Sequence, residues 1–461
     1  MTIDMLHDDI LLEIFDSYRR LVSRFDGMGE WQKLLHVCRR WRYIVLASPR
    51  RLDLRIECNR RTPTRKLLDI WPPFPISISC YPWGSGSAHG DRNIFAALQR
   101  PNRISHIDLS DISSMEVEQF AAAMDEPFPI LTDLCVHTFE MYLEPPGTAE
   151  LPDSFLGRSA PRLQTLLLEG VAFQSLPNLA LSASHFQYLN LHSIPHAGYI
   201  PPEAMITFLL PLHNLKGLTI EFTYPESRPL QTSPPPLTCA LLPSLIGFRF
   251  KGASEYLMDF IARIDTPMLD SFQVTFVSDV IDIPNIPQLH EFIDRAERLK
   301  TFIRAKVYLR SLEVQVIFKS STNLGLDITC EVSECPLSSM VALYEQLPTI
   351  PSQADQLELY EDAFDELVDE EWQDLYDPLW LQLLNPFVSV KTLYVSERLG
   401  PFVASVLGKL TGESVTEVLP ILNDLYFEGL GSSEFVQKTI KSFVSIRQLS
   451  GHPVIVRCWE R

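Results

Sequence analysis

Apolar residues along this chain recur with two different periods, and the change of period divides it. In "DDILLEIFDSYRRLV" the positions Ile10, Leu11, Ile14, Phe15 and Tyr18 return at helical spacing, with Asp8 or Asp9 placed to cap the positive end of the helix dipole. In "EWQKLLHVCRRWRYIV" the residues Trp31, Leu34, Leu35, Cys38, Trp41 and Val45 lie on one stripe, which predicts a second helix that stops where Ser48 precedes Pro49. Arg39, Arg40 and Arg42 fall mostly off that stripe. The period then becomes two. "RLDLRIEC" alternates Leu52, Leu54 and Ile56 with Asp53, Arg55 and Glu57, the pattern of a half-buried strand. Thr62 as cap and Pro63 at the first helical position predict a helix over "TPTRKLLDIW", and "FPISISC" reads as a further strand.

From Arg103 onward one motif keeps returning, apolar-x-x-apolar-x-apolar. It occurs as Ile104/Ile107/Leu109, Leu163/Leu166/Leu168, Phe186/Leu189/Leu191, Leu215/Leu218/Ile220, Leu245/Phe248/Phe250 and Leu269/Phe272/Val274, with late copies at Val390/Leu393/Val395 and Leu422/Leu425/Phe427. Helical patterns such as "SMEVEQFAAAM", "PPEAMITFLL" and "SEYLMDFIARI" fill several of the intervals. A strand followed by a helix every roughly 20–30 residues is the signature of a leucine-rich-repeat solenoid, whose units stack because none covers its own apolar face. The expected fold class is therefore α/β. A short all-α region (1–50) precedes an irregular leucine-rich-repeat-like solenoid (51–461), with parallel strands on its concave face and helices outside. An ordinary α/β domain with a parallel sheet is the alternative, though no phosphate-binding turn marks a switch point. The asparagine usual after the strand is missing from most copies, and the segment Leu299 to Glu334 is richer in strand-like runs. The proline-rich stretch 223–239 reads as an inserted loop and 360–377 as an acidic segment, more a solvated loop than a site.

Charge narrows the functions. The 461-residue chain carries a formal net charge of -19, yet between Arg39 and Lys66 it places ten basic residues against Asp53 and Glu57. So acidic a body repels a phosphate backbone, which argues against nucleic acid as a partner. No apolar run of about 18 residues predicts a membrane span. Aspartates stand near the start, where a secretory signal would be basic, and the expected location is cytoplasmic or nuclear. The cysteines lack C-x-x-C spacing and read as buried free thiols, so neither a metal nor another cofactor is expected. No H-E-x-x-H pair or G-x-S-x-G turn occurs, and the acidic residues of Asp365 to Glu371 sit in one local run rather than across a cleft, so no catalytic residue is assigned.

Parity along the strands nominates a recognition face. If the apolar positions point into the solenoid, the residues between them face the other way: Tyr188, Asn190, Thr219, Arg249, Lys251, Gln273, Tyr394, Tyr426 and Glu428. Aromatic, polar and oppositely charged groups together suit a protein or peptide ligand.

The N-terminal blocks, Leu6, Ile10-Leu11, Ile14-Phe15 and the "VCRRWR" group of Val37, Cys38 and Trp41, together resemble an F-box. The continuation "SPRRLDLRIEC…TPTRKLLDIWPPFPI" looks like the F-box proteins of mushroom-forming fungi, in which repeats follow directly. The resemblance covers roughly the first 80 residues. It departs at His7, where the family usually has proline, and in the longer interval "RLVSRFDGMGEWQK" between the blocks. It implies a non-catalytic substrate-receptor subunit of an SCF-type (cullin-based) ubiquitin ligase. Leu6, Ile10, Leu11, Ile14, Phe15, Leu34, Val37, Cys38 and Trp41 would dock on the Skp adaptor, and the repeats would hold a protein substrate. So short a unit cannot bury that many apolar groups by itself, which agrees with a partner surface. The alternative is a repeat scaffold whose N-terminal helices cap the solenoid. Under the first reading Arg39, Arg40 and Arg42 rim the docking stripe and steer toward an acidic partner.

Overall fold

The computed structural model describes residues 6–22, 30–47, 54–58, 64–71, 73–80, 88–138, 148–223, 239–277, 286–299, 302–310, 313–320, 325–331, 336–347, 349–362, 373–412 and 414–459. The Trp31 side chain, the Ser48–Pro49 stop, Leu52, the Thr62–Pro63 cap, the interior of the 223–239 insert, Cys335 and positions 363–372 of the acidic segment lie outside the described residues. The chain forms two compact units, Met1–Leu215 and Lys216–Arg461.

The first unit begins with α1 (Asp8–Val22), α2 (Glu30–Leu35) and α3 (Arg39–Ala47). The single helix expected from Trp31 to Val45 is thus two helices. The chain turns at His36 and Val37, and Cys38 stands before α3 with its Sγ accepting from the Trp41 amide at 3.4 Å. Arg42 Nε donates to the Leu35 carbonyl at 3.1 Å, capping one of the acceptors freed where α2 stops. Apolar spacing runs on through the break because a turn of three residues restores the same face, so periodicity alone does not reveal it. Leu11, Phe15, Ile44 and Val45 form the buried centre, and the Phe15 and Trp41 rings meet at 4.7 Å.

Strands follow: β1 (Leu54–Glu57), β2 (Ile76–Cys80), β3 (Ile104–Ile112), β4 (Asp133–Thr138), β5 (Ala149–Glu150), β6 (Thr165–Glu169), β7 (Val171–Ala172) and β8 (Tyr188–Ile194). The sheet runs β1-β2-β3-β4-β6-β8, every described pair parallel, while β5 and β7 make a separate short pair. Helices stand between strands because a parallel neighbour needs a crossover. The helix Ser114–Ala122 starts on a capping box, in which Ser113 Oγ accepts from the Glu116 amide and the Glu116 carboxylate accepts from the Ser113 amide.

The second unit holds β9 (Gly217–Phe222), β10 (Ala240–Leu241), β11 (Gly247–Gly252), β12 (Ile264–Asp265), β13 (Ser271–Phe276), β14 (Arg304–Arg310), β15 (Glu313–Lys319), β16 (Gly325–Glu331), β17 (Gln356–Asp362), β18 (Thr392–Val395), β19 (Asp424–Glu428) and β20 (Ile455–Trp459). Its sheet runs β9-β11-β13-β16-β15-β14-β17-β18-β19-β20, with β10 and β12 as a side pair. Here the expectation of parallel strands needs correcting, since β15 is antiparallel to both β14 and β16. Positions 311–312 alone link β14 to β15, too short a connection for a crossover helix, so the chain folds back as a meander. The acidic segment is also more ordered than expected. Its first residues complete β17, Tyr360 being 5% exposed, and from Gln373 it is helical.

The recurring motif has a backbone meaning. The first apolar residue of each copy (Leu163, Phe186, Leu245, Leu269, Val390, Leu422) is buried. One carbonyl just after it then accepts two amides of the next copy: Thr132 from Gln164 and Thr165, Ile246 from Asp270 and Ser271, Lys391 from Asn423 and Asp424. The second and third apolar residues lie in the strand and are buried against the helices. The mostly parallel sheets, with strands in chain order apart from the meander, are compatible with a leucine-rich-repeat solenoid.

Candidate functional site

On α1 the nominated residues separate by one position. Leu11 and Phe15 turn inward, 0% and 5% exposed, while Ile10 and Ile14 lie outside at 49% and 39%. Leu6, Leu34, Cys38 and Trp41 are half-buried. Val37, carried outward by the turn between α2 and α3, is 58% exposed. The arginines act within the chain. Arg40 reaches Asp8 Oδ1 at 2.6 Å and the Leu6 carbonyl at 2.5 Å, tying the start of α3 to the start of α1, and Arg42 caps α2. Arg39 is exposed.

The strand parity argument holds in burial. On each nominated strand the core residue is buried and its neighbour is half-buried or exposed on the opposite face, here called the open face. Tyr188 and Asn190 lie on β8 of the first unit. In the second unit the parallel register places Thr219, Arg249 and Gln273 in one row, with Arg249 Nε donating to Gln273 Oε1 at 2.7 Å. Lys251 faces Glu331 at 3.5 Å. Tyr394 and Tyr426 are register partners, stacked at 4.6 Å with an interplanar angle of 11°. Glu428 is half-buried and accepts from the Glu397 amide.

The richest part of this face includes residues not nominated from sequence. Tyr308 and Tyr360 stack at 4.9 Å, and Trp459 packs against Tyr394 (5.2 Å) and Tyr360 (5.9 Å), joining the two tyrosine pairs into one aromatic surface. Under it lies Glu358, 5% exposed. Its carboxylate accepts from Tyr360 Oη at 2.6 Å and Gln356 Nε2 at 3.0 Å, and pairs with Lys306 Nζ at 2.7 Å and Arg304 Nε at 3.2 Å. Lys306 lies over the Tyr360 ring, Arg310 over Tyr308 and Arg457 over Tyr426. Burial, together with the neighbouring Tyr426 and Glu358, pushes the Tyr394 phenol up. Fixed rings with cations at their faces and buried hydrogen bonds beneath make a rigid platform, suited to binding a chain by stacking and charge rather than to proton transfer. The signal for it was two further copies of the repeat motif, Phe302/Ala305/Val307 and Ala354/Leu357/Leu359, each followed by a tyrosine on the open face, Tyr308 and Tyr360.

Among the described residues no group of three or more His, Cys, Asp or Glu is placed to hold a metal, and no helix is long and apolar enough to cross a membrane. Cys58, Cys80 and Cys330 are buried thiols, but Cys239 and Cys458 are exposed, so burial does not extend to every cysteine as expected. No protein-family model matches the chain, and no curated protein matches it. Among solved structures, the leucine-rich repeat-containing protein LegL7 from Legionella pneumophila is similar at 11% identity over 88% of this chain and 99% of that chain, with a TM-score of 0.28. The Rad7 and Elc1 complex in yeast is similar at 11% identity over 92% of this chain and 88% of that chain, with a TM-score of 0.24. Likenesses this slight carry no argument, and the architecture rests on the strand order, register and burial described above.

Proposed function

We propose that the chain is a non-catalytic substrate-receptor subunit of an SCF-type ubiquitin ligase, acting in the cytoplasm or nucleus. Its N-terminal helices dock on the Skp adaptor, and its open strand face holds a protein substrate. One observation carries the first half. Ile10, Ile14 and Val37 stay exposed beside a helical centre already filled by Leu11, Phe15, Ile44 and Val45. The F-box resemblance of those same residues supports it. The mixed aromatic and charged open face supports the second half.

Co-expression with the Skp adaptor tests the reading. The wild-type chain is expected to co-purify, and Ile14→Asp to weaken capture by about 30-fold or more, the scale of a hot-spot residue. Trp41→Ala removes a ring that packs on Phe15, so it serves as the control for folding rather than for docking. Absence of wild-type capture would end the proposal.

A repeat scaffold whose helices serve as a cap is the second reading. It is favoured by His7 in the usual proline position and by the inward use of Leu11 and Phe15. It expects no adaptor capture, together with a lower melting temperature when residues 1–47 are removed.

A further inference from the structure

In the middle of the second unit's open face, two like charges stand directly opposite each other. Arg304 and Lys319 are register partners on the antiparallel strands β14 and β15, and the Ile303 amide donates to the Lys319 carbonyl at 2.9 Å, which holds the two backbones together there. Lys306, two residues along β14, lies on the same face. Like charges in opposed positions destabilise a sheet, and here they gather in a chain whose net charge is -19. The acids beside them do not balance the corner. Glu358 has Gln356 Nε2 and Arg304 Nε at Oε1, and Tyr360 Oη and Lys306 Nζ at Oε2. Two donors on each oxygen saturate a carboxylate. Glu358 is buried, whereas the Arg304 side chain is 40% exposed and its Nη1 and Nη2 have no partner among the described residues. Lys319 is half-buried and makes no ion pair among the described residues. Its field reaches Asp327, but that carboxylate is held by Gln315 Nε2 at 2.9 and 3.1 Å and also feels Arg249. Arg304, Lys306 and Lys319 against Glu358 and Asp327 leave one positive charge unmatched.

We propose that this corner is a carboxylate-binding subsite of the open face, which takes an aspartate or glutamate side chain of the bound protein. The inference rests on the reading of that face as the substrate-holding surface, and it names the class of segment held there, an acidic one. The free fork of Arg304 meets a carboxylate through two parallel hydrogen bonds, and Lys319 supplies an ammonium from the facing strand. An anion between them removes their mutual repulsion. Tyr308 and Tyr360 stand two residues beyond Lys306 and Glu358 on the same strands, where apolar neighbours of the acidic residue can lie on them. The one unmatched charge selects a carboxylate, since a phosphoryl group of about -2 would leave the corner negative.

The test uses the full chain without adaptor and three peptides carrying one neutral dye. Each has a leucine-X-leucine core between glycine-serine flanks, with X glutamate, glutamine or phosphoserine. The glutamate peptide is expected to bind saturably, at least about ten-fold more tightly than the glutamine peptide and no more weakly than the phosphoserine peptide, with an affinity that falls as salt is raised. Lys319→Gln should weaken the glutamate peptide about ten-fold while its urea midpoint stays at or above that of wild type, because the opposition to Arg304 is gone. Lys438→Gln, at an exposed position on the helix Glu434–Leu449, should leave binding unchanged. The proposal is overturned by absence of saturable binding, by equal affinity for glutamate and glutamine, or by Lys319→Gln binding like wild type. Tighter binding of phosphoserine also overturns it, since a dianion is then the occupant, and so does a lower urea midpoint in Lys319→Gln, which would make Lys319 a structural partner. Adaptor capture is measured alongside. Peptide binding that fails while capture persists removes the subsite and leaves the receptor reading standing.

Discussion

In the first unit the open strand face carries His106 against Asp133 at 2.8 Å and His137 against Glu169 at 2.6 Å. In the second it carries Tyr394 against Tyr426, Tyr308 against Tyr360, and Lys306 against Glu358. Each of these is a pair of direct register partners on neighbouring parallel strands. The backbone rule is the same in both units, and only the residue types at equivalent ladder positions differ. In the first, imidazole and carboxylate meet near the surface, where salt screens their attraction. In the second, rings stack over a buried carboxylate, and packing and desolvation dominate. A parallel sheet is thus a lattice that turns a one-residue choice per repeat into either an ionic or an aromatic surface.

The contrast is sharpest at Glu358. Its replacement by alanine strands Lys306, Arg304 and the Tyr360 hydroxyl over a 5% exposed site, and is expected to cost about 3 kcal/mol in urea unfolding, the usual scale for removing one partner of a buried charge pair. A loss below about 1 kcal/mol would mean that the aromatic surface does not rest on its buried acid.

Acid should act on the other face. A hydrogen bond from His106 is the largest influence on the Asp133 carboxyl and holds it at about 2, below its ordinary 3.8. A depressed carboxyl adds stability above its unfolded value and loses it as pH falls through the folded one. Wild type should therefore lose this contribution between pH 4 and 2, and Asp133→Asn or His106→Ala should already lack it. Because the Asp133 side chain is 35% exposed, screening reduces the expected size to about 1 kcal/mol. Equal acid sensitivity in wild type and Asp133→Asn would erase the distinction between the two faces.

The smallest effect should come from Tyr426→Leu, which removes one stacked ring at a cost of about 0.5–1 kcal/mol. Since Tyr426 also helps to raise the Tyr394 phenol, the variant should ionise Tyr394 at lower pH in an ultraviolet titration. An unchanged titration would show that the two rings are not coupled as their 11° stack implies.

Much of this was legible along the chain. The change of period near residue 50, the strands at Tyr188, Gly217, Gly247, Ser271, Thr392 and Asp424, and the inward and outward parity of each come from residues adjacent in sequence. What was missed depends on partners far along the chain. Tyr308, Tyr360 and Trp459 are separated by 52 residues and more, and only the register of β14 on β17 and of β20 on β19 brings them onto one surface. Arg40 looked like a rim charge until its partners Asp8 and the Leu6 carbonyl, 32 and 34 residues away, were in place.

By itself, then, the sequence determined which residues face the core and which do not, because that follows from periods of 2 and about 3.6 residues acting locally. Tertiary structure alone decided where a continuous apolar stripe breaks and which of its members remain outside. Those outcomes depend on competition for one shared interior. Leu11 and Phe15 fill it, and Ile10, Ile14 and Val37 are left at the surface.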